Sequence, residues 1–163
     1  QKMYELAVQG AMAPFFDRFE LAPLRSNEEK IRLEWRERGS DSYFNANQLS
    51  DGTLRFMCLA TLLLQPEMPS LVLLDEPELG LHPAAIQLLA DLLVQASTRT
   101  QLLVSTQSVT LVNHLEPEAV WVADRNLQGA TEFRHLAKQD LTQWSSAYAL
   151  GELWEKNVLG GRP

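Results

Sequence analysis

Leu71-Val72-Leu73-Leu74-Asp75-Glu76-Pro77 is the stretch on which the fold turns. Four consecutive aliphatic residues closed by two acids and a proline have the texture of a central parallel strand with both faces covered. Such a strand delivers its last residues to the carboxyl edge of an open α/β sheet, where ligands bind. Adjacent strand residues point in opposite directions, so Asp75 and Glu76 can hold different roles. One can reach a magnesium ion through its water shell while the other reaches an attacking water. An ordinary strand followed by an exposed acidic turn has the same sequence, and the heptapeptide alone leaves these two readings nearly even.

Downstream, Pro83 stands where a first-turn proline belongs, ahead of a helix over Ala84–Gln95. Leu102–Val104 reads as a second buried strand, ending in Ser105-Thr106-Gln107-Ser108, with a short helix over Val109–Leu115. A third strand is expected over Ala119–Val122 and a fourth around Phe133, after a turn at Gln128-Gly129. The segment Leu141–Val158 has helical spacing, with Leu150, Leu153, Trp154 and Val158 on one side and Gly160-Gly161 at its end.

Upstream, Ser50-Asp51-Gly52 opens an apolar helix over Thr53–Leu64, closed by Pro66 and Pro69. A helix over Met3–Phe16, a connection over Leu21–Asn27, and a half-buried strand in which Ile31, Leu33 and Trp35 alternate with charged residues precede it. Gly39-Ser40-Asp41 is a turn, with a return strand over Ser42–Asn45. Strand and helix alternate from residue 49 onward. The class is therefore α/β, a mainly parallel sheet flanked by helices, with an N-terminal helix and a short antiparallel segment. A single domain over 1–163 is expected, with 1–48 leading into 49–163.

The start of the 53–64 helix has chemistry of its own. A helix N-terminus carries free N–H groups and partial positive charge, which suits a phosphate. Ser50 adds a hydroxyl, and Gly52 lets a backbone approach closely. A plain N-cap accounts for the same residues.

Together these segments resemble an ABC-type ATP-binding head. Leu49-Ser50-Asp51-Gly52-Thr53 resembles the signature motif Leu-Ser-Gly-Gly-Gln, departing from it at Asp51 and Thr53. Leu71 to Glu76 resembles a Walker B strand followed by a catalytic glutamate, and Glu78 to Pro83 takes the place of the D-loop. The run Asp75 to Pro83 is similar to that of RecF-like, overcoming-lysogenisation-defect and related AAA-type ATPases. Ser105-Thr106-Gln107-Ser108 stands where the family has Thr-His-Ser, with Gln107 at the switch-histidine position. The chain is thus identified, from about residue 28 onward, as the C-terminal lobe of a RecF/SMC-like head in the P-loop NTPase superfamily.

The resemblance implies ATP and Mg²⁺ as ligands. It implies Asp75 as the magnesium residue, Glu76 and Gln107 as catalytic residues, and Ser50, Asp51 and Gly52 as contacts to ATP held by a second head. Self-association through an ATP-dependent head dimer follows. In the family the switch histidine contacts the γ-phosphate; glutamine can still donate a hydrogen bond to a phosphate oxygen but cannot carry a proton or a charge, so the switch chemistry departs from the family's, and a polar cap for the helix at Val109 is the alternative. No Gly-x-x-x-x-Gly-Lys-Ser/Thr occurs in the 163 residues. The resemblance assigns that phosphate cradle to an N-terminal lobe of the same protein, so this chain alone is expected to be inactive. A non-catalytic interaction lobe is the alternative expectation.

Composition narrows the partners. The formal charge of −7 repels phosphate backbones, so DNA contact is expected only from other parts of a longer protein. That the sequence starts at Gln1, with a helical pattern at once, also points to a longer protein. Lys30, Arg32, Arg36 and Arg38 are interleaved with Glu28, Glu29, Glu34 and Glu37, a solvated strand face. The single cysteine, Cys58, excludes an internal disulfide and points to the cytoplasm. Within the apolar run Phe56–Leu64 it is expected to be a small buried hydrophobe, and that run is too short to span a membrane. His82 is expected to be a helix-capping or interface residue rather than a ligand, His114 and His135 lack ligand spacing, and Trp35, Trp121, Trp144 and Trp154 are expected in core or interface.

Overall fold

A computed structural model describes residues 2–12, 16–24, 27–137 and 148–161. Helix α1 (Lys2–Met12) leads into strands β1 (Phe16–Leu24), β2 (Asn27–Glu37) and β3 (Tyr43–Asn45). Helix α2 (Asp51–Leu64), β4 (Leu71–Asp75), α3 (Pro83–Ser97) and β5 (Gln101–Ser105) follow. The short helix α4 (Val109–Val112), the hairpin β6 (Trp121–Arg125) and β7 (Thr131–His135), and α5 (Leu150–Glu155) complete the order. The chain divides into two compact units, Gln1–Val72 with Leu79–Leu103, and Leu73–Glu78 with Val104–Pro163. Residues 1–48 thus share a unit with much of the segment that follows them.

In the first unit, β1, β2 and β3 form an antiparallel sheet in that order. Its inner side meets α1 and α2 through the core cluster Val8, Phe16, Trp35, Leu49 and Met57. Trp35 is stacked on Phe44 at 4.8 Å, the core placement expected for it. Burial grades along β2, from exposed Ile31 to buried Trp35. Arg32 pairs with Glu34 at 3.2 Å and Arg36 with Asp41 at 2.9 Å, so the charges of this region answer one another.

The expected connection over Leu21–Asn27 is instead largely strand, and Phe16 starts β1 rather than ending a helix. The cause is pairing with β2, from Phe16 opposite Glu37 to Leu24 opposite Asn27. Pro23 lies at a register shift near the strand end, where a missing N–H costs least. Cys58 is exposed, not buried. The buried face of α2 is Phe56, Met57, Leu59, Ala60 and Leu63, and two residues from Phe56 is about 200° round the helix.

β4 and β5 form a two-stranded sheet. Gln101 N–H donates to Ser70 O at 3.2 Å, and Glu76 N–H donates to Ser105 O at 3.0 Å. The strands therefore run parallel, with α3 as the crossover. Val72 is buried, but Leu71, Leu73 and Leu103 are exposed, so the expectation of two covered faces is not met within this chain.

In the second unit β6 pairs antiparallel with β7, turning through Gly129 at φ 80°. The third expected strand thus belongs to a separate hairpin, and Pro117–Ala119 ahead of it is a 3₁₀ turn. The α/β class holds, and the antiparallel share is larger than expected because β1–β2–β3 and β6–β7 each pair strands that are neighbours in sequence. Val112, Leu136, Leu150, Leu153 and Leu159 form the core, with Trp154 packed against it. Trp121 is 62% exposed and is no core residue here. Of the expected 141–158 helix the described residues show only α5, which ends at Glu155 and is followed by left-handed Asn157 at φ 56°, so Gly160 and Gly161, although also left-handed, lie beyond the helix end. Residues 141–147 of that expectation, with Trp144, lie outside the described residues.

Candidate functional site

Asp75 ends β4, and the chain then turns sharply at Glu76, whose φ of 41° lies in the left-handed region. For a residue with a Cβ this costs on the order of 1 kcal/mol. The turn is held by the Glu76 N–H bond to Ser105 O and continues through buried Pro77, whose ring fixes φ.

Because β4 and β5 run parallel and end side by side, three acids meet three consecutive polar residues. Ser105 Oγ donates to Asp75 Oδ1, and Thr106 Oγ1 donates to Glu78 Oε1. Gln107 Nε2 donates to Glu76 Oε1 at 2.8 Å. Ser108 N–H donates to Thr106 Oγ1 at 3.0 Å, and Ser108 Oγ caps α4 by accepting from Leu111 N–H at 3.2 Å. The carboxylates differ in setting. Asp75 is exposed and Glu76 partly so, while Glu78 is 8% exposed and its Oε2 lacks a hydrogen-bond partner.

The second unit therefore brings Asp75, Glu76 and Gln107 together. Ser50, Asp51 and Gly52 lie in the first unit. Ser50 is the N-cap of α2, with Oγ accepting from Thr53 N–H at 3.1 Å and 2.8 Å from Thr53 Oγ1. Asp51 is exposed in the first turn, where its charge favours the helix dipole. A Cβ on Gly52 would lie 2.3 Å from Gly80 O, so only glycine fits. Arg55 Nη1 donates to Leu79 O at 2.7 Å, and the first two turns of α2 thereby hold the loop after Glu78.

His82 caps α3 as expected, Nδ1 accepting from Ala84 N–H at 3.2 Å with Pro83 behind it. His135 lies 2.7 Å from Glu118 O and against Trp121. Among the described residues no group of three or more His, Cys, Asp or Glu could hold a metal ion, and no helix is long and apolar enough to cross a membrane. Sequence reasoning missed Glu78, Thr106 and Arg55 as site-forming residues. The signal for the first two was acids at 75, 76 and 78 in one strand end against polar residues at 105–107 in the next.

Solved structures with a similar fold include SMC ATPase heads. One, from work on ATP-driven dimerisation and DNA-stimulated activation of SMC ATPases, superposes with a TM-score of 0.61 at 15% identity, over 89% of this chain and 92% of that one. An SMC head bound to the C-terminal winged-helix domain of ScpA gives 0.63 at 14% identity, over 87% of this chain and 43% of that one. The SMC head of Thermotoga maritima gives 0.53 at 15%, over 83% and 46%. This chain thus spans less than half of the latter two. The fold is thus one that this chain shares with SMC ATPase heads. Residues 11–113 match the family described as "AAA domain, putative AbiEii toxin, Type IV TA system", and the chain belongs to that family. No curated protein matches it significantly.

Proposed function

We propose that this chain is the Walker B, switch and signature lobe of an ATP-hydrolysing head. The observation that carries this reading is the Gln107–Glu76 hydrogen bond at the carboxyl edge of a parallel strand pair. Glu76 is the general base that polarises the attacking water, and Gln107 orients that carboxylate by donating from Nε2 to Glu76 Oε1. The exposed carboxylate of Asp75 is a hard oxygen donor that fits hydrated Mg²⁺. Bound magnesium offsets negative charge on the phosphate oxygens. Ser50, Asp51 and Gly52 face ATP held by a second head, so that ATP joins two heads and hydrolysis releases them.

The phosphate cradle belongs to an N-terminal lobe of the same protein, and the 163 residues alone do not turn over ATP. Contact with DNA falls to that longer protein, not to this acidic lobe, and the setting is cytoplasmic. A non-catalytic interaction lobe is the second reading, favoured by the Ser50 hydroxyl being already engaged as an N-cap.

Size-exclusion chromatography with ATP separates the two. Glu76→Gln in the protein carrying both lobes keeps the shape and removes the base, so it should accumulate as an ATP-dependent dimer. A variant that elutes as a monomer at saturating ATP supports the interaction lobe instead.

A further inference from the structure

Resting on the reading of Glu76 as base and Gln107 as switch, we propose that Glu78 is a positioning residue. Through Thr106 it fixes the strand end from which Gln107 reaches Glu76. Thr106 lies between Ser105 and Gln107 and turns the opposite way, less exposed than either, onto buried Glu78. Its hydroxyl donates to Glu78 Oε1 and accepts from Ser108 N–H, so the residues on both sides of Gln107 are held by one side chain.

Glu78 is a costly choice for structure alone. It is 8% exposed, and its second oxygen is buried without a partner. A carboxylate so placed is worse for stability than a neutral side chain of the same size. What the carboxylate provides is a strong acceptor for Thr106. Its place in the chain matters equally. Only Pro77, buried and fixed in φ, separates Glu78 from Glu76. The segment that presents the base thus also holds the donor aligned to it.

The test reads the Gln107 side-chain amide directly, by nitrogen-15 NMR of the 163-residue chain, with the resonance assigned by its loss in Gln107→Ala. Thr106→Val removes the hydroxyl and keeps the shape, and Glu78→Ala removes the acceptor. Each should shift the Gln107 amide resonance and speed its hydrogen exchange by about 2- to 10-fold, the worth of one hydrogen bond. Thr106→Ser should restore both, and the Thr106→Val/Glu78→Ala pair should be no worse than either alone. Should Glu78→Ala not fold, Thr106→Val and its serine rescue decide the matter. A Gln107 amide that is unchanged in Thr106→Val overturns the proposal.

In the two-lobe protein Thr106→Val should lower kcat, per ATP-binding site titrated so that loss of folded protein is corrected for, by a similar factor with KM for ATP unchanged. The underlying reading has its own arm. Wild-type kcat in Glu76→Gln removes the base assignment, while the NMR result still decides whether Glu78 positions Gln107.

Discussion

Gly52→Ala is the substitution for which the structure gives the clearest sign. Alanine for glycine within a helix ordinarily stabilises by about 0.5–1 kcal/mol, through propensity and a less flexible unfolded chain. Here the added Cβ would lie 2.3 Å from Gly80 O and 3.3 Å from Gly80 C. Carbon–oxygen contacts normally stay above about 3.3 Å, so the overlap is about 1 Å. Both atoms are backbone and cannot rotate away. The loop can retreat only by disturbing Gly80, held at φ 79°, and the Arg55 bond to Leu79 O at 2.7 Å. Overpacking of this kind costs about 1–3 kcal/mol, which outweighs the helix gain. Subtracting that gain leaves a net loss of up to about 2.5 kcal/mol, so with a urea slope of about 2 kcal/mol/M the unfolding midpoint of the 163-residue chain should fall by up to roughly 1.2 M. Gly10→Ala is the internal control. Its Cβ would meet the rotatable tip of Leu88 at 2.7 Å, so it should be neutral or stabilising by up to about 1 kcal/mol. If Gly52→Ala unfolds at the same urea concentration as wild type, or a higher one, the close approach to Gly80 is not what the glycine serves.

Three further outcomes are expected. Gly151→Ala drives a Cβ to 2.6 Å from Val109 O and 2.7 Å from Asn113 Oδ1, and should lower Tm by roughly 2–10 °C; an unchanged Tm contradicts the α4–α5 packing. Glu76→Asn places a residue tolerant of left-handed backbone where φ is 41°, and should stabilise by up to about 1 kcal/mol while removing the base. Measured in a Gln107→Ala background, where the bond to Glu76 is already absent, lower stability in denaturation would mean that the turn is not strained. Gln107 does not titrate, so turnover in the two-lobe protein should show no step near pH 6.5 from this position. Gln107→His should add one, and Gln107→Ala should slow turnover by roughly 2- to 10-fold. A wild-type rate in Gln107→Ala makes the residue structural.

The features read correctly from sequence are those whose cause is local. The aliphatic run before Asp75, the Ser50 cap, the His82-Pro83 helix start and the Gly129 turn each follow from a few neighbouring residues. What was misread depends on partners far along the chain. β1 exists because β2 pairs with it, although Leu21–Leu24 with its proline has the composition of a loop. The exposure of Leu71, Leu73 and Leu103 depends on what covers the sheet, which an apolar run cannot specify. Cys58 was recoverable, since helical periodicity alone puts it opposite Phe56. Within the site, Asp75, Glu76 and Gln107 were legible as strand ends. The Thr106–Glu78 bond was not, because it joins residues 28 apart whose facing depends on the register of two strands.

The central claim is that Glu76 activates the water that attacks ATP, and single-turnover hydrolysis by the two-lobe protein with Glu76→Gln measures it most directly. The rate should fall by roughly 10²–10⁴-fold while ATP still binds, the usual worth of a positioned general base. Hydrolysis at the wild-type rate, with ATP bound equally well, would contradict it.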